Sequence, residues 1–465
     1  MSRRFALLLA IPLVACTTKQ PPYQTVKLPQ TWRGQSVNSS ATPYTAKWWT
    51  ALNDASLNQL IDKAILANSD IAQAAARMLQ IRSQLNAAKA NLLPSVTAGA
   101  GVDRVKIPMQ WIQDSLGLGQ DNGIKPQQTW PYIGFSLDYE LDLLGRLSKA
   151  RESVEKQVLI TEFEQQHIKR LVIFETVKAY ANLRSAQQQL ILAEQRLALH
   201  EKQAQLAEHA IKTGVADWRI LNSAKIDAQQ AKLSKAQLEQ AVNLAIAQIA
   251  LLCSSSSEQI NLATLPGNDD YGDSLKVEAD VPASVVERRA DVQAAWQQLL
   301  ISVNDSELAR LERFPRLTLT GMLGLASSGF SGWFAKDALG WIFGVASSFP
   351  VFDGGRNQAR QDHAKAIEQE QFIAYRKTVY TALADVETAL AEWRTMQAEL
   401  TARREQLTLQ QLNETKQALA AGAGKSTRFS ELNAQLMLVN AKNDMTDANY
   451  RKLIAYAALQ KALAY

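Results

Sequence analysis

Four short segments of the chain alternate apolar and polar residues with a period of two, and two long ones carry no helix breaker at all. In YIGFSLDYELDL the residues Ile133, Phe135, Leu137, Tyr139, Leu141 and Leu143 are apolar, whereas Gly134, Ser136, Asp138, Glu140 and Asp142 are small or acidic. That spacing predicts a strand at about 131–143 with one apolar and one wet face. SVTAGAGVDRV from Ser95, LTLTGMLGL from Leu317 and WIFGVASSFPVF from Trp341 alternate less cleanly. They predict strands at about 95–106, 316–327 and 340–352. Strands of about ten residues cross an outer membrane, and a sandwich with one solvated face would give the same pattern. Four strands cannot close a water-filled barrel, so a membrane reading requires several chains.

From Arg146 to Thr213, and again from Arg356 to Ala421, the chain holds neither glycine nor proline. At ~1.5 Å per residue each stretch predicts a helix of roughly 100 Å. No ordinary globular domain needs such lengths, which suit the coiled-coil walls of a tube or rod. The plan is also duplicated. DIAQAAARMLQIRSQLNAAKANLLPSVT from Asp70 aligns without gaps on DVQAAWQQLLISVNDSELARLERFPRLT from Asp291. Downstream, Gly145-Arg146 matches Gly355-Arg356, and Gly214 is matched with Gly422. The expected fold is mainly α with a small β part. Two repeats, 56–253 and 285–462, are joined by a linker at 254–284, and each repeat ends in a long helical hairpin. The hairpin tips are expected near 214 and 422.

One motif suggests a different chemistry. AAGAGKSTRF, from Ala420, ends like a phosphate-binding P-loop, but the first glycine of that motif falls at Leu419 and no strand precedes it. Turn chemistry explains the segment better. Gly422 and Gly424 break the long helix, and Ser426 or Thr427 caps the returning one.

The start of the chain reads as a targeting segment, with Arg3 and Arg4, an apolar run from Phe5 to Val14, and Leu13-Val14-Ala15-Cys16. It resembles a bacterial lipobox. Residues 1–15 would then be a lipoprotein signal peptide and Cys16 the lipidated mature N-terminus; an ordinary signal peptide with a chance cysteine is the alternative. Thr17 is not the aspartate that usually retains such lipoproteins at the inner membrane, so the outer membrane is the expected address. Lys plus Arg (50) nearly balance Asp plus Glu (45), too little excess to argue for nucleic acid. His167, His200, His209 and His363 include no i, i+4 zinc pair. No catalytic elbow or cysteine–histidine cluster is present, and no cofactor is expected.

Taken together, these features resemble the TolC family of outer-membrane channel proteins, nearest its lipidated drug-efflux branch. The more specific pieces are PASVVERRADVQAAWQQL from Pro282, RFPRLTLTG from Arg313 and PVFDGGRNQAR from Pro350; Ala290 stands where the family usually has proline. The resemblance implies a homotrimer, a 12-stranded β-barrel in the outer membrane continuing into a 12-helix periplasmic α-barrel. Residues 16–55, 254–284 and the C-terminal end would form a belt around it. Its implied role is passive: an exit channel for drugs and other toxic small molecules, joined by a periplasmic adaptor to an inner-membrane efflux transporter, with outer-membrane lipid around it. It would do no enzymatic chemistry. A type I secretion duct and a non-channel coiled-coil envelope lipoprotein are the alternatives. In that setting Asp138, Glu140 and Asp142 would form carboxylate rings in the barrel lumen. Gly214, Val215, Gly422, Gly424, Lys425 and Arg428 would sit at the hairpin tips that meet the adaptor. Phe429 and Asn433, on one helix face at i, i+4, would gate the periplasmic mouth, unless Phe429 packs inside the hairpin as core. Asn433 occupies the place where the family usually has aspartate, which argues for a hydrophobic constriction.

Overall fold

The computed structural model describes residues 26–32, 47–106, 127–215, 217–260, 275, 282–327 and 330–464. Cys16, the signal segment and most of the expected belt at 16–55 and 254–284 lie outside them. Eight α-helices and four strands follow one another among the described residues: α1 (Ala55–Ala67), α2 (Ser69–Ala90), β1 (Ser95–Lys106), β2 (Gln127–Leu141), α3 (Arg146–Lys212), α4 (Trp218–Leu252), α5 (Pro282–Arg288), α6 (Ala290–Leu311), β3 (Arg316–Ala326), β4 (Leu339–Ser348), α7 (Arg356–Gly422) and α8 (Arg428–Ala462).

The duplication holds in detail. α3 and α7 are each 67 residues long, and α4 and α8 each 35. A 67-residue helix runs about 100 Å. One constant offset places Arg146 on Arg356 and Trp218 on Arg428. The same offset corrects the sequence alignment at the tips, because Gly214 falls on Gly424 and not on Gly422. Gly422 is the last residue of α7, whereas Gly214 and Gly424 carry the left-handed φ values of 73° and 69°. Only glycine takes that conformation without cost from a Cβ, so it marks where the chain leaves the helix.

Each hairpin folds its short helix back along its long one, and α8 also packs against α3. The largest core lies where α1, α3, α4, α7 and α8 meet, around Leu57, Ile61, Val177, Tyr180, Ile249, Leu453 and Leu459. Alanines at positions 179, 181, 245, 455 and 457 let these helices approach closely. Trp48 packs edge-on and Trp393 at a tilt against Tyr456, each with its centroid 5.6 Å away. Asp54 caps α1 through the Leu57 amide (3.0 Å) and accepts from the Tyr180 hydroxyl (2.8 Å). Burial and the Asp54 carboxylate together push the Tyr180 phenol well above its ordinary value, so it remains a donor. No helix among the described residues is long and apolar enough to cross a membrane.

The four strands form one antiparallel meander in the order β1-β2-β3-β4, with β2 of the first repeat paired to β3 of the second. Two strand ends differ from the sequence expectation. β2 covers 127–141 instead of 131–143, because Asp142 turns away to cap the next helix. β4 stops at Ser348 instead of near 352, just before Pro350, which has no N–H for a ladder.

Candidate functional site: a two-faced sheet and the hairpin tips

Residues paired across an antiparallel ladder share a face, so the register sorts every side chain. One face carries Val96, Ala98, Ala100 and Val102 on β1, and Ile133, Phe135, Leu137, Tyr139 and Leu141 on β2. It continues through Leu317, Leu319, Leu323 and Leu325 on β3 to Val345, Phe343, Trp341 and Leu339 on β4. This band is apolar from edge to edge, yet nothing among the described residues covers it: Phe135 is 56% exposed and Trp341 71%. Soluble surfaces rarely carry so wide a patch. Ten residues at ~3.3 Å each, tilted by ~45°, give a band of roughly 25 Å. The other face carries the small and polar residues Thr97, Gly99, Ser136, Asp138, Glu140, Thr318, Thr320 and Gly344, interrupted by Trp130, Tyr132, Met322 and Ile342. Gly134 and Gly324 oppose each other on it so closely that a Cβ on either would sit 2.6–2.7 Å from a backbone carbonyl oxygen of the other strand. A larger residue there would prise β2 from β3.

The three carboxylates expected in the lumen have different surroundings. Asp138 is exposed on the polar face and makes no ion pair among the described residues. Glu140 shares that face, but Arg146 holds it with a two-pronged ion pair at 3.0 and 2.7 Å. Asp142 lies beyond the strand. Its carboxylate accepts from the Leu147 amide (2.9 Å), the Ser148 amide (2.8 Å) and the Ser148 hydroxyl (2.6 Å). The N-cap of α3 is Gly145, which has no side chain to offer, and Asp142 supplies the missing acceptor. Partial burial pushes its carboxyl up, but the bonds from Ser148 and Leu147 outweigh this and hold it below the ordinary range. Asp142 is thus a helix cap and not a strand-face residue, a correction to its expected ring in the barrel. Asp353 does the same for α7, accepting from Gly355 and Asn357 amides at 2.9 Å.

At the tips the two hairpins share one backbone. The Gly214 and Val215 amides donate to Ile211 and Ala210 carbonyls at 2.9 Å, and Gly424 and Lys425 repeat this with Ala421 (3.1 Å) and Ala420 (2.8 Å). These are the paired bonds that close a helix C-terminus through a left-handed glycine. Asp217 caps α4 and Thr427 caps α8. Ser426 instead donates to the Gln417 side chain at 3.0 Å. The side chains differ. The first tip exposes Val215 (82%) and Trp218 (67%), and the second Lys425, Arg428 and Phe429. Arg428 is tied to both Glu431 oxygens at 2.5 Å.

Phe429, 40% exposed, and Asn433 project from α8 together, with Met437 continuing the row. Phe429 is therefore not core of the hairpin. The opposite side of α8 is buried: Leu432, Leu436 and Val439 pack on Leu199 of α3. Asn433 straddles the two sides, since its Oδ1 accepts from Gln203 Nε2 of α3 at 2.7 Å, and Gln203 is only 3% exposed. This tie between the repeats spans 230 residues of sequence and was missed by sequence reasoning. Its only local trace is a glutamine among the apolar positions of α3. Trp218 was missed too, although a tryptophan directly after a capping aspartate at a tip is a readable signal.

Comparison with known proteins agrees with this geometry. A model of the outer membrane efflux protein family matches residues 60–254 and 281–464. The outer membrane protein OprJ of Pseudomonas aeruginosa is 29% identical over 82% of this chain and 78% of its own. The pyoverdine export outer membrane protein OpmQ of Pseudomonas putida is 27% identical over 100% of this chain and 97% of its own. Among solved structures, the outer-membrane channel OprN aligns with a TM-score of 0.81 at 25% identity, covering 96% of this chain and 98% of that one.

Proposed function

Because the chain belongs to the outer membrane efflux protein family, we propose that this outer-membrane channel is a homotrimer serving as the exit duct of a tripartite drug-efflux pump. One observation carries the reading. A continuous apolar sheet face is exposed, acids occur only on the opposite face, and the sheet ends in two unpaired edges, β1 and β4. Open edges invite pairing. Joining β4 of one protomer to β1 of the next closes the sheet, seals both edges and turns the apolar face to lipid and the polar face to water. The two long hairpins then extend from one end of the barrel as tunnel walls. The tunnel is passive: drugs and other toxic small molecules enter from an inner-membrane transporter through a periplasmic adaptor. The exposed tip residues Val215, Trp218 and Lys425 are the surface that the adaptor meets. Cys16 carries lipid and assists retention, but a single acyl chain binds only marginally, so the barrel does the spanning. A Cys16→Ser variant behind a conventional signal peptide should still fractionate with the outer membrane; a soluble periplasmic product would refute insertion of the strands.

Phe429 forms the resting constriction, with three rings meeting on the trimer axis to exclude water. Asn433 plays a different part from the one expected, a ring of amides on the axis: its Oδ1 is engaged by Gln203, so it fixes α8 to α3 and thereby sets the height and angle of Phe429. Single-channel conductance tests both roles. Phe429→Ala should raise conductance several-fold and admit large antibiotics into cells. Asn433→Ala should give flickering openings with the phenyl rings still present. Wild-type conductance in both, with trimers intact, would put the gate on other residues.

A further inference from the structure

The apolar sheet face has a charged rim on one side only. Beyond Val102 the same face of β1 continues with Arg104, opposite Thr129, and Lys106, opposite Gln127. Both basic side chains are exposed, and neither makes an ion pair among the described residues. Of the residues described on that face of the sheet, none is acidic; Asp103, between the two bases, points to the polar face. The β3–β4 connection carries Lys336 beside Asp337 and adds no net charge. The rim is at the end of the strands remote from the helices, because β1 follows α2 and β2 leads into α3 at the other end. A lipid with its chains against Val102 and Ile133 would place its headgroup at the level of Arg104 and Lys106.

We propose that Arg104 and Lys106 form a docking site for the phosphate headgroup of a membrane lipid in the leaflet remote from the helices. The proposal rests on the barrel reading above, since it needs the apolar face turned to lipid. Charge complementarity and continuity with the apolar band select the occupant. A guanidinium grips phosphate oxygens in a fork, an ammonium adds a flexible point charge, and the band below receives the acyl chains. Two positive charges per protomer with no anion beside them among the described residues are otherwise an unrewarded feature of a lipid-facing wall.

The experiment is native mass spectrometry of the full-length trimer extracted from vesicles of phosphatidylcholine with a minor share of phosphatidylglycerol. Wild-type trimer should retain phosphatidylglycerol selectively. The Arg104→Gln, Lys106→Gln double variant should lose that enrichment several-fold, and Asp103→Asn, on the opposite face, should keep it. Equal retention by the double variant would overturn the proposal, as would loss of the lipid to millimolar inorganic phosphate, which would make the site one for free phosphate. Insertion into pure phosphatidylcholine vesicles is scored separately. A chain that fails there refutes the barrel reading, and a chain that inserts without headgroup preference refutes only the lipid site.

Discussion

The two hairpin tips have the same backbone and different surroundings. Helix lengths, left-handed glycines and closing hydrogen bonds coincide. Near its tip, however, α4 buries only small residues, Ala224 and Ala231, whereas α8 buries Glu431, Leu432, Ala434, Leu436 and Val439. The reason is a second neighbour: among the described residues α4 packs chiefly on α3 along its length, whereas α8 lies between α7 and α3. Duplication therefore copied the punctuation of the chain, while the place each copy took in the protomer decided its surface. The first tip keeps a free outer side, suited to a partner. The second is held from inside and turns Phe429 toward a different exposure, suited to a gate.

That contrast is broken most directly in the second hairpin. Leu432→Ala should destabilise the protomer by about 3 kcal/mol, as a fully buried leucine leaves a cavity between α8 and α3. Thermal unfolding of detergent-solubilised trimers reads this loss, and the matching change in the first copy, Asn222→Ala, should cost far less. Next in size, Gly214→Ala and Gly424→Ala should each cost about 1 kcal/mol, since alanine is strained at a left-handed φ. Gly422→Ala should instead be neutral or stabilising, because a helical glycine costs entropy. An equal loss at Gly422 and Gly424 would return the turn to the position expected from sequence. Asp142→Asn should cost about 1 kcal/mol by weakening the cap of α3. Because the folded carboxyl is held below its ordinary value, this stabilisation is complete above about pH 4 and disappears as the pH falls through the lowered value, where variant and wild type converge. The ion selectivity of the channel should not follow Asp142, whereas Asp138→Asn should reduce cation preference in a planar bilayer. Smallest of all, Trp218→Ala should leave unfolding within about 0.5 kcal/mol of wild type, because the side chain is exposed. Its effect should appear only in adaptor binding.

Much of the fold was legible because its signals are local. A period of two marks a strand, a long stretch without glycine or proline marks a helix, and a repeated pattern marks a duplication. The two long hairpins and all four strands follow from residues close together in sequence. What could not be read is what depends on distant partners or on small phase differences. Gly422 and Gly424 are two residues apart, and both look like helix breakers; only the helix phase shared with the first repeat shows which one turns. Asp138, Glu140 and Asp142 look equivalent in an alternating run, but Arg146 neutralises one and the open end of α3 claims another. Asn433 reads as a free amide until Gln203 arrives from the other repeat. The chain's own pattern thus determined which segments are helix, strand and turn and which face of the sheet is apolar, since those are matters of periodicity. Tertiary structure alone decided which charges remain available and which tip side chains are held, because hydrogen bonds and burial are settled by neighbours that sequence order does not reveal.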